Sequence, residues 1–325
     1  MTGGPAAKPP RSLVTGGAGF IGSHLAEALW REGGEVRILD DFSTGRRDNL
    51  PPADDRLEVR AGSITDEKAL AAAMEGVDYV FHLAGLVAVP ESVDNPRRCI
   101  ELNDLAVFNT YLAALEQGAR RVVFSSSSAV YGETEAPHHE GLCPRPNTPY
   151  AIAKLLGEHY GLYFHSYRGL ESVYLRYFNV YGPRQRPDSE YAGVISLFME
   201  QLERAQPGLI YGDGQQTRDF IYVDDVVRAN LAAASRPGLS GLAFNIGRGR
   251  PVTIAALYRL LADLAGRPGL EPRFAPPRPG DIRHSFGPVD LAADRLGFRA
   301  EVDLRRGLAR TRRWFTGPGG APKAQ

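Results

Sequence analysis

Tyr150 and Lys154, in Thr148-Pro149-Tyr150-Ala151-Ile152-Ala153-Lys154, are the residues whose types and spacing most directly suggest chemistry. On a helix, positions i and i+4 share a face one turn apart. A free phenol, with a pKa of about 10, is protonated at neutral pH. A neighbouring ammonium favours the phenolate and lowers that pKa. The pair is therefore expected to form a poised acid/base. A second group is the hydroxyl row Ser125-Ser126-Ser127-Ser128, which ends the apolar run Val122-Val123-Phe124. Ligands of doubly wound α/β proteins lie beyond the carboxyl ends of the strands, where these hydroxyls could hold a substrate oxygen.

These groups need a scaffold. Ser12-Leu13-Val14-Thr15 reads as a buried strand, Gly16-Gly17-Ala18-Gly19-Phe20-Ile21-Gly22 as a tight turn, and Ser23 to Arg31 as an amphipathic helix. The glycines allow close approach of a pyrophosphate, which then sits on the helix N-terminus. A second strand, Val36 to Leu39, ends in Asp40, placed to accept hydrogen bonds from an adenosine ribose and to repel a 2′-phosphate. This order predicts a dinucleotide site that prefers NAD to NADP. Arg46 and Arg47 follow Asp40 and are expected to be solvated. Further strands are expected at Leu57–Arg60, Val77–Leu83, Arg121–Phe124 and Ser172–Tyr177, with helices over 103–117 and 150–167. Alternating strands and helices predict an α/β fold, a doubly wound parallel sheet covered on both faces. After Gly182 the pattern loosens, which predicts a smaller C-terminal lobe, although Leu242 to Ile246 reads as a strand. The Pro-rich stretch 267–279 is expected to be an extended surface loop.

Composition limits the alternatives. The chain has 325 residues, enough for a large core and two lobes. Its 38 basic and 38 acidic residues balance, so no global field favours nucleic acid or a membrane. Cys99 and Cys143 give neither a disulfide framework nor metal spacing, which fits the cytoplasm. No apolar run reaches the ~18 residues of a membrane helix. Residues 1–11 lack the apolar core of a signal peptide, and they and residues 317–325 are expected to be disordered.

The motifs together resemble the extended short-chain dehydrogenase/reductases, and within them the nucleotide-sugar 4-epimerases of the UDP-glucose/UDP-galactose type. The resemblance covers nearly the whole chain. It rests on the glycine turn, Asp40-Asp41, His82-Leu83-Ala84-Gly85, the serine row and Tyr150 with Lys154. It continues through Arg176 to Pro183, Gly212-Asp213-Gly214, Arg218 to Asp225 and Arg278-Pro279-Gly280-Asp281. It implies a Rossmann domain over 1–181, with a segment near 218–248 returning to it, and a nucleotide-sugar lobe from 182–217 and 249–325. It implies NAD held by Gly16, Gly19, Phe20, Ile21, Gly22, Asp40, Ser43, Gly45, Ser63, Ile64, Leu83, Ala84, Gly85, Asn103, Ser125, Tyr150, Lys154 and Tyr177. It implies a UDP-sugar against Val87, Ser127, Asn179, Arg186, Val194, Tyr211, Arg218, Arg278, Asp281 and Ser285. Tyr150 would take and return the proton of the sugar 4-hydroxyl. Ser127, with Ser126 as a second candidate, would steady the oxygen. Lys154 would also hold the nicotinamide ribose, and NAD would stay bound through a 4-keto intermediate. A homodimer built on the Tyr150 helix and the 103–117 helix is implied as well.

Some positions depart from the family pattern. Ser63 stands where an aspartate near adenine is usual, and Val87 where some relatives place lysine. Ser285 stands where glucose/galactose enzymes carry tyrosine, leaving room for an N-acetyl group, so UDP-GlcNAc is an expected substrate beside UDP-Glc. Arg186 matches an arginine that uronate epimerases use for a carboxylate, which makes a UDP-glucuronate 4-epimerase the alternative. A 4,6-dehydratase needs an acid after the serine, and here Ser128-Ala129 follow. A non-catalytic NAD-binding regulator would typically lose the tyrosine that this chain keeps. His138 and His139 are expected to face water, His82 to pack near the pyrophosphate, and the arginines of 305–313 to form a solvated face. No metal site is expected.

Overall fold

A computed structural model describes residues 9–185, 193–277 and 282–317. The first half alternates β1 (Arg11–Thr15), α1 (Phe20–Arg31), β2 (Glu35–Asp40), β3 (Leu57–Ala61), α2 (Glu67–Met74) and β4 (Tyr79–His82). Short helices α3 (Val89–Asp94) and α4 (Pro96–Ile100) lead through a π-helical turn, Glu101–Leu105, into α5 (Ala106–Glu116). Then come β5 (Arg121–Ser127), α6 (Pro149–Arg168), β6 (Glu171–Tyr177) and β7 (Asn179–Tyr181). The rest comprises α7 (Val194–Glu203), β8 (Leu209–Tyr211), β9 (Thr217–Arg218), β10 (Phe220–Tyr222), α8 (Val223–Ser235) and β11 (Ala243–Ile246). It ends with β12 (Val252–Thr253), α9 (Ile254–Leu264), β13 (Arg273–Ala275), β14 (His284–Ser285) and α10 (Leu304–Thr316).

Among the described residues, seven strands form one sheet in the order β11-β6-β5-β4-β1-β2-β3, with every neighbouring pair parallel. Neighbouring residues along a strand feed opposite faces. Leu13, Val80, Val122 and Phe124 pack with α2, α5 and α6, while Val14, Phe81, Val123 and Val173 pack with α1 and α8. A sheet buried on both sides explains the continuous apolar runs. The chain order reverses beside β1, between β4 and β2, which opens a crevice above β1 for a ligand.

The second half returns to this sheet before leaving it again. β11 pairs with β6, and the buried Arg121 of β5 reaches the carbonyls closing α8, Ala233 at 2.8 Å and Ala234 at 3.0 Å. Beyond it, β7 pairs with β10, β9 lies between β12 and β14, and β8 pairs with β13. A third core, built on Phe198, Ile210, Leu257 and Leu308, supports these small sheets.

Three expectations are corrected. Arg11 is no tail residue: it begins β1, and its guanidinium pairs with Glu35. The Pro-rich stretch 267–279 contains β13, because Gly208 and Leu209 offer it a free strand edge. His138 is buried, stacked on Tyr131 with ring centroids 4.9 Å apart and bonded to the Thr134 carbonyl, while His139 is exposed. The Phe286 carbonyl, from far along the chain, accepts the His138 N–H.

Candidate active site

The crevice above β1 is a cleft of about 600 Å³ running from Asp40 past the glycine turn to Ser127, Tyr150 and Lys154. Its floor follows from the glycines. Gly16 has φ of 68°, and its carbonyl lies so close to Gly22 that a side chain there would collide with it. Gly19 precedes α1 without any side-chain cap. The first amides of a helix have no partners within it, so here they present donors and the positive end of the helix dipole to the cleft. Asp40 Oδ2 accepts the Ala18 N–H and Oδ1 the Phe42 N–H, both at 2.8 Å. This fixes its carboxylate at the rim, and each oxygen keeps a further lone pair for a ribose hydroxyl. Arg46 pairs with Asp48, and Arg47 lies over the Phe42 ring. This cradle fits a dinucleotide: backbone donors for phosphate and a carboxylate for ribose.

At the other end, Tyr150, Lys154 and Ser127 converge. Pro149 at the first turn and Thr148, whose hydroxyl accepts the Ala151 N–H, start α6 at the cleft. Lys154 is buried, its Nζ donating to the Ser125 carbonyl at 2.7 Å and lying 5.8 Å from the Tyr150 ring centre. Burial pulls its pKa down from 10.5 to about 8. The Tyr150 phenol moves upward, contrary to the expectation of a depressed value. Burial of the phenolate outweighs the Ser127 hydroxyl, whose hydrogen bond lowers the pKa. The ammonium is aimed at the Ser125 carbonyl, and it is not among the groups that move the phenol. Ser127 Oγ accepts the Ala129 N–H at 3.1 Å, leaving its own proton for an oxygen in the cleft. Ser126 also lines the cleft, but its hydroxyl donates to the buried carboxylate of Glu158. His82 is buried at the end of β4, with Nδ1 3.1 Å from Thr15 Oγ1 and Nε2 unpartnered; burial holds its pKa at about 3.

The family model for the NAD-dependent epimerase/dehydratase family matches residues 12–247. The chain belongs to that family. A UDP-glucose 4-epimerase of Mycolicibacterium smegmatis is 39% identical over 310 residues, 94% of this chain and 98% of that protein. The solved UDP-glucose 4-epimerase of Thermotoga maritima with UDP-glucose is 39% identical, with a TM-score of 0.89 over 94% of this chain and 98% of that one. A UDP-N-acetylglucosamine 4-epimerase from Methanobrevibacter ruminantium is 38% identical, with a TM-score of 0.90 over 95% and 98%.

Most residues anticipated for NAD line one cleft. Gly16, Gly19 to Gly22, Asp40, Ser43, Ser63, Ile64, Leu83 to Gly85, Ser125, Tyr150, Lys154 and Tyr177 all line the cleft. Gly45 and Asn103 stand behind it. A side chain at Gly45 would crowd Asp40, and Asn103 pairs with both the N–H and the carbonyl of Leu86, holding the loop after β4. Among the residues anticipated for the substrate, Val87 and Ser127 line the cleft. Tyr211 lines a second hollow with Asp213, Phe274 and Arg283. Asn179, Val194, Arg218 and Ser285 line neither. Asn179 bonds the Asp219 carbonyl, Val194 opens α7, and Arg218 Nη1 donates to the Thr217 carbonyl. Ser285 is buried in register with Arg218. Arg186, Arg278 and Asp281 lie outside the described residues. The cleft adds Arg98, Glu91, Phe178, Arg184 and Gln185. Nothing in the sequence marked Glu91 or Arg98. Among the described residues no cluster of His, Cys, Asp and Glu could hold a metal, and no helix is long and apolar enough to cross a membrane.

Proposed function

We propose that this protein inverts C4 of UDP-sugars, interconverting UDP-glucose with UDP-galactose and UDP-GlcNAc with UDP-GalNAc. The observation that carries this is the convergence of Ser127, Tyr150 and Lys154 on one cleft with the glycine turn. NAD, when bound, would supply the acceptor and donor of the C4 hydride. Tyr150, as phenolate, takes the 4-hydroxyl proton and returns it once the 4-keto sugar has turned its other face. Ser127 donates to the 4-oxygen as charge develops on it. Lys154 holds positive charge beneath Ser125 and the phenol. The smaller lobe, residues 182–217 and 249–325, carries the nucleotide. Similarity to the Methanobrevibacter protein and the small Ser285 support the acetylated pair.

Incubation with UDP-hexoses, UDP-N-acetylhexosamines and UDP-glucuronate, read by NMR, tests the proposal. Both neutral pairs should epimerise with no net NADH. Turnover of UDP-glucose without UDP-GlcNAc would remove the acetylated pair, and turnover of UDP-glucuronate alone would overturn the substrate class. Ser285→Tyr should abolish only the acetylated activity. We further propose a cytoplasmic homodimer, formed through the exposed Ile152, Leu162, Tyr163 and Tyr167 of α6 together with Leu105. A monomeric mass in light scattering would exclude it.

A further inference from the structure

The face of α6 that bears Tyr150 and Lys154 carries a third polar residue one turn on, Glu158, which is buried. The three address successive residues at the end of β5. Tyr150 meets the Ser127 hydroxyl, Lys154 the Ser125 carbonyl, and Glu158 the Ser126 hydroxyl. Ser126 is thus fastened between the two contacts that carry the acid/base chemistry. A buried carboxylate needs its own support. Arg176 of β6 supplies it with two bonds, Nε at 2.9 Å and Nη2 at 2.6 Å. Arg176 Nη1 donates to the Tyr131 hydroxyl at 3.1 Å, which donates to Asn245 Oδ1 at 2.7 Å, and Asn245 Nδ2 donates to the carbonyls of His138 and Pro288. Ser126, Glu158, Arg176, Tyr131 and Asn245 are all nine-tenths buried or more. Geometry this far from water costs stability unless every partner is present, and it holds its members in one arrangement.

We propose that Glu158, clamped by Arg176, is a positioning residue that sets the register of α6 on β5 and thereby holds Ser127 against Tyr150. Ser126 is its point of attachment rather than a group acting on the sugar. Ser126 lines the cleft, but its hydroxyl is taken up by Glu158 on the helix. Ser127, next along the strand, is the one left to meet Tyr150.

This rests on the epimerase reading, and its test is readable without turnover. In the protein with NAD bound, Tyr150 ionisation is followed by ultraviolet difference titration against Tyr150→Phe. Ser126→Ala leaves the Glu158–Arg176 pair intact and should still fold. It should raise the Tyr150 pKa and lower kcat about tenfold, the worth of one positioning hydrogen bond, with KM within about twofold since substrate binding is untouched. Ser126→Thr, which keeps the hydroxyl, should restore both. Glu158→Gln should change both in the same direction. A Ser126→Ala protein with a lower melting temperature but unchanged titration and kcat would reduce the network to a structural role and overturn the proposal. If the parent epimerises no UDP-sugar, the functional reading falls, while the titration still decides the role of Glu158.

Discussion

Lys154 Nζ bonds the Ser125 carbonyl at 2.7 Å, while the phenol that Lys154 would activate is opposed by its own burial and assisted by Ser127. Activity should therefore rise with pH as the phenol ionises. Ser127→Ala should move that rise to higher pH and lower kcat by about a hundredfold, as for loss of a positioned proton-handling group. Tyr150→Phe should retain NAD and lose inversion altogether. Profiles of kcat against pH for the three proteins check this; a Ser127→Ala profile superimposable on the parent's would refute it.

Lys154 also carries a stability cost. Its folded pKa of about 8 lies below the ordinary 10.5, so the unfolded chain binds more protons between those values. The protein without dinucleotide should gain stability as pH rises through that window, and below it the cost is fully present. Lys154→Met removes the buried ammonium and should raise stability at pH 7 by about 2 kcal/mol, from the size of the shift less one hydrogen bond. The same change should abolish activity. Urea unfolding at pH 7 and 10 measures it.

Acid should act through two histidines. His24 is held at a pKa of about 4 by burial and by the Arg184 charge, and His82 at about 3 by burial and the Lys154 charge. Both lie below the ordinary 6.5, so the unfolded state binds the extra protons and stability falls as pH drops from about 6.5 towards 4. Replacing His24 by Gln keeps a donor for the Pro183 carbonyl and should flatten that fall. Melting temperatures across this range, compared with the parent's, decide the point.

Gly22→Ala should disable the dinucleotide site. The added methyl would run into the Gly16 carbonyl and lie 2.9 Å from Gly17 Cα, both rigid backbone. A shift of the turn should cost about 2 kcal/mol in stability and most of the bound NAD. Absorbance of nicotinamide released on denaturation reads the loss.

Local spacing made much of this legible. The helix carrying Tyr150 and Lys154, the glycine turn and the strand ending in Asp40 are encoded by near neighbours in sequence. Glu158 was not legible as a third member, because its partners Ser126 and Arg176 come from two other strands. Asn103 is implied as a cofactor residue by the resemblance alone, and its bonds to the Leu86 backbone, made from the π-helical turn, were not legible. His138 reads as surface in a polar loop, since nothing in the sequence shows that Tyr131 stacks on it or that the distant Phe286 carbonyl binds its N–H. The ionisation of Tyr150 is not legible for a similar reason: spacing reveals a nearby charge, while desolvation depends on the whole fold.

The sheet's outer strand, β11, is made only after α7, α8 and the four short strands β7 to β10 have followed β6. Until residue 246 has left the ribosome, β6 has no partner on one side. An unpaired apolar strand is a template for wrong association. Chains interrupted shortly before Ala243 should accordingly clump on release more than chains interrupted shortly after Ile246, which makes the last-placed strand a checkpoint for biosynthesis.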